Sequence, residues 1–365
     1  MNTSRFSRLR QEVEERRRIV RGNHPVTVAL DVMGTEAGPA EMLRGAFEAV
    51  ELYRSITVIC VGDQAVLNSM IRSHGFTHPR LKVEHASQII EMKEQPHQSL
   101  KKLDSSVAVA ARLVKANTAQ ALVSPGNTGA TMATCMVQWR RLPGISRPAI
   151  AALFPHPKRP CLLLDVGANV DCKPRSLLHF AMMGSVYARY VFHRRNPRIG
   201  ILSNGEEDCK GNLLVREASA MLRASTLNFT GSAEGRDLMK GKFDVVVCDG
   251  FLGNVVLKFG EGLAEFIMTN LKEEVQRSVV SQLGALAMLP ALRKFKKQVD
   301  HTEYGGAPLL GLNGTCVICH GSSRAKAIRN AIRVAGEQVT MKVNHHILEV
   351  IQANPDLHPV PKILD

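Results

Sequence analysis

The sequence predicts an α/β protein: a mostly parallel sheet with helices on both faces. Three observations predict it. Short apolar runs alternate along the chain with helical stretches of about 10–20 residues, the pattern of strands buried on both faces and joined by crossover helices. Strand after strand ends in small, polar, glycine-containing sequence: DVMG, VSPGNTG, DVGANVD, SNGEE, CDGFLGN and CHGSS. The composition, 45% hydrophobic and 22% charged, is that of a globular protein and excludes disorder and collagen-like repeats.

The elements follow in order. Residues 1–24 form a basic N-terminal extension, with seven Arg and three Glu in the first 25 residues, and are expected to be solvated. They lack an apolar core segment, so no secretory signal is expected. VTVALD (Val26–Asp31) is a buried-strand pattern, and Pro39 opens a helix as an N1 proline does. SITVICVGD then precedes a helix from about Gln64, and RLKVEHAS gives a third strand. QALVSPGNTG leads into a helix that runs to Trp139, AIAALF is another strand, and CLLLDVGAN leads into a helix from Pro174. RIGILSNGEE, DVVVCDGFLGN and GTCVICHG, each followed by a helix, complete the series. With no clean linker and no repeat, the expectation is one catalytic α/β domain over 25–340. It carries a helical insertion at 263–300 and is followed by a tail at 341–365.

Bulk properties narrow the function. The net charge of +14 favours acidic partners, while only 17 aromatic residues argue against stacking on single-stranded nucleic acid. Six of the eight cysteines lie far apart within apolar runs, so disulfides are not expected and a reducing cytoplasm fits. The uncharged stretch Ala116–Trp139 is broken by SPGNTG, and Ser278–Leu292 is only 15 residues long, so neither reads as a membrane span.

In open α/β sheets ligands collect beyond the carboxyl ends of strands, against helix N-termini. In SPGNTGA (Ser124–Ala130), Gly126 and Gly129 let the backbone come close, and Asn127 or Thr128 can cap the next helix, leaving N–H groups for an anion. A capped turn without function has the same pattern, and both readings stand. No Walker A or GxGxxG pattern accompanies it, so nucleotide binding is not indicated. DVGANVDCKP places Asp165, Asn169 and Asp171 past a strand, suited to acid/base or positioning work or simply to turn chemistry, with Lys173 and Arg175 nearby for an anion. SNGEEDCKG offers Asn204, Glu206, Glu207 and Lys210, and the glutamates equally suit a helix N-terminus. DGFLGNVVLK offers Asp249, Asn254 as a cap, and Lys258 for an anion.

Cys316-Val-Ile-Cys319-His320 matches the c-type haem attachment spacing, but without export a buried strand ending at His320 is the better reading. His320 is then a proton donor, a phosphate contact or a satisfied core histidine. His345 and His346 have no cysteine or carboxylate cluster in the sequence around them, so no metal site is expected there. VVSQLGALAMLPALRKFKKQ (Val279–Gln298) is apolar and then basic, through Arg293, Lys294, Lys296 and Lys297. Besides a core helix, it suits an interfacial hairpin inserting Leu283, Leu286, Met288, Leu289 and Leu292 into an anionic membrane surface.

LDVMG (30–34), VSPGNTGA (123–130), RLPGISRPAI (141–150), LLDVGANVDCKP (163–174), MGSVYAR (183–189), GEEDCKGN (205–212), VVVCDGFLGNVVLK (245–258), EYGGAPLLGLNG (303–314) and HGSS (320–323) together resemble, in order, the bacterial phosphate acyltransferases of phospholipid synthesis that use acyl carrier protein. The chain departs from their usual pattern at Thr35, Glu36 and Pro125.

The resemblance implies a fold like phosphotransacetylases and isocitrate dehydrogenase-type proteins, a homodimer, and no nucleotide or tightly bound metal. It implies transfer of an acyl group from acyl carrier protein to inorganic phosphate, supplying a membrane glycerol-3-phosphate acyltransferase from the inner face of the membrane. A phosphotransacetylase acting on a coenzyme A thioester is the alternative. On these grounds Ser124, Gly126, Asn127, Thr128 and Gly129 are expected to bind phosphate. Asn169, Asp171, Lys210 and His320 are expected to serve catalysis. Asp31, Asn204, Glu206, Asp249, Asn254 and Lys258 are expected to position substrate.

Overall fold

The computed structural model describes residues 25–354 apart from 157, 158, 208, 300–302 and 304, with only the backbone of 296–299. The expected extension at 1–24 and the end of the expected tail lie outside the described residues.

In chain order the elements are β1 (Val26–Asp31), α1 (Pro39–Leu52), β2 (Ile56–Gly62), α2 (Gln64–His74), β3 (Leu81–His85), a single turn α3 (Pro96–Ser99), α4 (Ser106–Lys115), β4 (Ala121–Ser124) and α5 (Thr128–Trp139). They continue with β5 (Ala149–Phe154), β6 (Cys161–Leu164), α6 (Pro174–Tyr190), β7 (Ile199–Leu202), α7 (Leu213–Ala224), β8 (Phe229–Ala233), a short 3-10 helix (Gly235–Met239) and β9 (Val245–Val247). The last are α8 (Gly250–Gln276), α9 (Val279–Ala287), α10 (Leu289–Val299), β10 (Ala307–Leu310), β11 (Thr315–Ile318), α11 (Ala325–Thr340) and α12 (Val343–Gln352).

The α/β class and the predominance of parallel pairing hold. The described residues gather into two compact units, 25–143 with 305–349 and 144–303 with 350–354. The chain passes from one to the other within RLPGIS and EYGGAP, short Gly/Pro segments whose composition is that of any surface turn, and once more within α12 at Glu349–Val350. The expected insertion at 263–300 is redrawn, because α8 runs unbroken from Gly250, directly after β9. The expected tail contains α12, whose Val343, Ile347 and Ile351 are buried.

In the first unit the strands lie in the order β3-β2-β1-β4-β11-β10, parallel except for β10 against β11. Val28, Ala29 and Leu30 of β1 are fully buried, as expected of a central strand covered on both faces. The chain winds from β1 outward to β3 and then returns to the other side of β1 as β4. The order therefore reverses between β1 and β4, the place where open α/β sheets form a ligand crevice. Register completes the arrangement: Leu30 pairs with Val123, and Ser124 with Ile318, so Asp31, Ser124 and Ile318 end their strands at one level.

The second unit orders its strands β5-β6-β9-β7-β8, with β5 antiparallel to β6 and the rest parallel. Leu164 pairs with Val247, which brings the loops that follow β6 and β9 side by side. A methyl group on Gly253 would overlap the Asp165 carbonyl, so glycine is what lets α8 lie against the end of β6. Among the described residues no helix is long and apolar enough to cross a membrane.

Candidate active site

At the carboxyl end of the first unit's sheet, Asp31 is buried and its carboxylate accepts hydrogen bonds from Ser106 Oγ (2.6 Å) and Ser124 Oγ (2.8 Å). Ser124 Oγ also shares a 3.0 Å bond with Thr131 Oγ1 and accepts the Gly126 amide at 3.2 Å. Burial pushes the Asp31 carboxyl up to about 6, against the opposing pull of the two serine hydroxyls. Asp31 thus anchors the Ser124–Gly126 turn while carrying less than a full negative charge in mildly acidic conditions.

α5 starts directly after that turn. Asn127 Oδ1 accepts the Ala130 amide (2.9 Å), and its Nδ2 donates to the carbonyls of Met92 and Glu94 (both 2.9 Å). The Asn127 side chain, expected to touch phosphate, is therefore spent on capping α5 and pinning the 92–94 loop. Ser124 is likewise a buried strut. What the helix end does offer is backbone: the amides of Thr128 and Gly129 have no acceptor among the described residues, and neither has the exposed Thr128 hydroxyl. Gly129 is held to glycine by Pro96, whose Cγ would lie 2.9 Å from an added Cβ.

Two further loops reach this end. Gly34 has φ 71°, and a Cβ there would lie 2.5 Å from the Ile90 carbonyl oxygen. Beyond it, the Thr35 hydroxyl (2.9 Å) and the Glu36 amide (3.1 Å) both donate to the Gly321 carbonyl, tying the loop after β1 to the loop after β11. His320 sits there exposed, its Nδ1 2.7 Å from Ser322 Oγ and its Nε2 without a partner among the described residues. The core-histidine reading of His320 falls. Cys316 and Cys319 are buried in the sheet, which disposes of the haem-attachment reading.

In the second unit Asp165 is the hub. Its carboxylate accepts the amides of Ile150, Gly167, Ala168 and Asn169 and the Asn169 Nδ2, which also donates to the Pro148 carbonyl at 2.7 Å. Asn169 O accepts the Gly250 amide, docking the start of α8 on this turn. Asn169, expected to serve catalysis, is buried, and its Nδ2 group makes both of its hydrogen bonds within this hub. Asp249 caps α8 through Leu252 N (2.9 Å), and Asn254 lies exposed beside Gly167.

Asn204 Oδ1 accepts the Gly211 amide and closes the loop after β7. Glu206 pairs with Lys242 (2.9 Å) in a surface cluster with Glu234 and Asp237, and Lys258 pairs with Glu261 (2.8 Å). The substrate-positioning roles expected of Asn204, Glu206 and Lys258 are thus countered by local partners. Asp171 and Lys210 are exposed, and neither side chain has a partner among the described residues. Half-buried Cys172 is pushed up to about 12, first by burial and then by the neighbouring Asp165 carboxylate, so it is a thiol and no ready nucleophile. Cys248 is raised well above its ordinary range by burial as well.

The helical segment separates its apolar residues. Leu283, Leu286 and Met288 are exposed, whereas Leu289 and Leu292 are half-buried and line a cavity with Leu271 and Ala285. Exposed Leu286 borders that cavity as well. The side chains of Lys296 and Lys297 lie outside the described residues. On α12, His345 and His346 meet Glu349 at 3.4 and 2.7 Å, a carboxylate that helical spacing supplies one turn on.

Sequence reading did not single out Ser106 or Thr131 beside Asp31, nor the Met92 and Glu94 carbonyls beneath Asn127. Ser106 lies 75 positions from Asp31, and no local signal marks it.

A family model described as fatty acid synthesis protein matches residues 26–346. The chain is 49% identical to a phosphate acyltransferase of Geotalea daltonii, covering 91% of this chain and 96% of that one. It is 47% identical to that of Syntrophotalea carbinolica, covering 92% and 97%. Among solved structures, a phosphotransacetylase from Streptococcus pyogenes superposes with a TM-score of 0.61 at 16% identity, over 90% of this chain and 98% of that one. A branched-chain phosphotransacylase from Enterococcus faecalis gives 0.54 at 15%, over 86% and 99%; both show the fold.

Proposed function

The chain belongs to the phosphate acyltransferases, enzymes of acyl transfer, and from that premise we propose that its donor is an acyl-acyl carrier protein and its product an acyl phosphate destined for phospholipid synthesis. The observation that carries the reading is the start of α5. Two amides without acceptors among the described residues and an exposed hydroxyl at a helix N-terminus suit orthophosphate, favoured by the positive end of the helix dipole.

Phosphate is itself the nucleophile. One of its oxygens forms a bond to the thioester carbonyl carbon, the C–S bond breaks, and the electron pair leaves on sulfur. The leaving thiol has an ordinary pKa near 8.5, so its departure needs little acid assistance. The enzyme's task is then to hold phosphate in line and to stabilise the developing oxyanion. The raised pKa values of Cys172 and Cys248 fit a route without an acyl-enzyme. Thr128 is assigned to phosphate and His320 Nε2 to proton donation in the first unit. Asp171 and Lys210 are the side chains of the second unit available to substrate.

The net charge of +14 suits an acidic carrier and an anionic membrane surface, on which exposed Leu283, Leu286 and Met288 give the enzyme a peripheral seat at the cytoplasmic face. A membrane glycerol-3-phosphate acyltransferase would take up the acyl phosphate there. Phe251, Val255, Phe259 and Phe266 form an exposed stripe on α8 that suits a homodimer, and sedimentation equilibrium on Phe259→Glu tests it by the appearance of monomers.

The decisive assay traps acyl phosphate as a hydroxamate, with acyl carrier protein and coenzyme A thioesters compared at equal concentration. Preference for the carrier thioester is expected. Equal or better use of the coenzyme A thioester would make the enzyme a phosphotransacetylase.

A further inference from the structure

Opposite its exposed phenylalanine stripe, α8 presents a second apolar face. There Leu257, Gly260 and Ile267 close a cavity of about 240 Å³ against Phe154 of β5 and Met239 of the 3-10 helix. Its one carboxylate, Glu261, is neutralised by Lys258. A second cavity, about 440 Å³, opens between α8, α9 and α10 around Leu271, Leu286 and Leu292. Met268 and Phe295 line both and stand between them.

We infer that this pair of cavities is the acyl-chain site, and that Met268 with Phe295 sets how long a chain it accepts. The inference rests on the acyl-transfer reading and adds where the chain lies. An apolar cavity of about 150 Å³ already stays dry and takes up a benzene-sized ligand, so the first cavity holds several methylenes and the second extends it. The acyl group is the apolar ligand that an acyltransferase must bind.

Direction follows from α8. Its first turn docks on the Asp165–Asn169 hub through Gly250, Leu257 lies about 10 Å further along the helix axis, and Met268 about 16 Å beyond that, at 1.5 Å per residue. The polar carbonyl end therefore lies toward the loops after β6 and β9. The methyl end points past Met268 toward the hairpin whose exposed leucines would meet lipid.

The test compares octanoyl, dodecanoyl and hexadecanoyl carrier thioesters on wild type, Met268→Trp and Gly260→Leu, each checked for folding by its melting curve. Wild-type kcat/KM should rise about fourfold per added methylene until the cavities fill, the equivalent of about 0.8 kcal/mol each. Met268→Trp should lower the hexadecanoyl-to-octanoyl ratio about fifteenfold, the loss of roughly two buried methylenes. Gly260→Leu, nearer the carbonyl end, should lower the dodecanoyl-to-octanoyl ratio as well. Folded variants that slow all three donors equally, or none, would overturn the inference. Fluorescence titration with cis-parinaric acid gives a readout independent of turnover: wild type should bind it and Met268→Trp should weaken binding about fifteenfold. Equal binding by both would overturn the assignment even if acyl transfer is secure. A wild type that binds the probe but forms no acyl phosphate from any donor would instead remove the function while leaving the cavity.

Discussion

Asp31 shows how a single carboxylate can be both anchor and liability. In the folded chain its pKa is about 6, above the roughly 3.9 of an unfolded aspartate, so between those values the native state holds a proton that the unfolded state has lost. The contribution of Asp31 to stability is therefore greatest below about pH 4, falls as pH rises toward about 6 and levels off above it. The full effect is about 3 kcal/mol. Asp31→Asn should remove that decline, a difference thermal melts between pH 4 and pH 8 will read; an unchanged slope would show that Asp31 ionises normally. At this scale sequence reading was only partly informative. It named the loops that carry Asp31, Asn127, Asn169 and Asn204 but not the tasks of those side chains, because asparagine and aspartate cap turns with the same atoms that they would offer a substrate. Asn127 and Asn169 turned out to hold loops, while Thr128, Asp171, Lys210 and His320 remain exposed and available.

Whole elements were far more legible. Nearly every apolar run became a strand, since an uninterrupted run bounded by glycine leaves little else open. Helix starts at Pro39, Gln64 and Pro174 match the capping signals in the sequence. The region after Gly250 was less legible: a 27-residue helix with apolar residues on two faces has no single periodic stripe to mark it. Gly253 holds that helix against β6, so Gly253→Ala should destabilise by about 1–3 kcal/mol, seen as a lowered midpoint in urea. An unchanged midpoint would mean that the contact relaxes without cost. Leu283, exposed on α9, is the better probe of membrane contact than inward-turned Leu289. Leu283→Glu should reduce co-sedimentation with anionic vesicles and leave acyl-phosphate formation in solution intact. Unaltered sedimentation would dismiss the hairpin as a membrane seat.

For the molecule as a whole, the fold class and the family-like order of the loops were visible in the sequence, and the division into two units was not. The crossings at Pro143–Gly144 and Tyr304–Gly305 fall in helix-to-strand connections whose composition is that of any turn, and only long-range contacts separate the units. The positive charge acts at this scale. If it steers an acidic carrier, KM for the carrier thioester should rise several-fold on going from low to physiological salt, with kcat little changed. A salt-insensitive KM would contradict steering.

The central claim, that orthophosphate attacks the thioester directly, is tested by rapid mixing of enzyme with acyl carrier thioester before phosphate is added. The account predicts no release of carrier thiol until phosphate arrives, followed by acyl phosphate in equal amount. A burst of thiol stoichiometric with enzyme in the absence of phosphate would reveal an acyl-enzyme and contradict it.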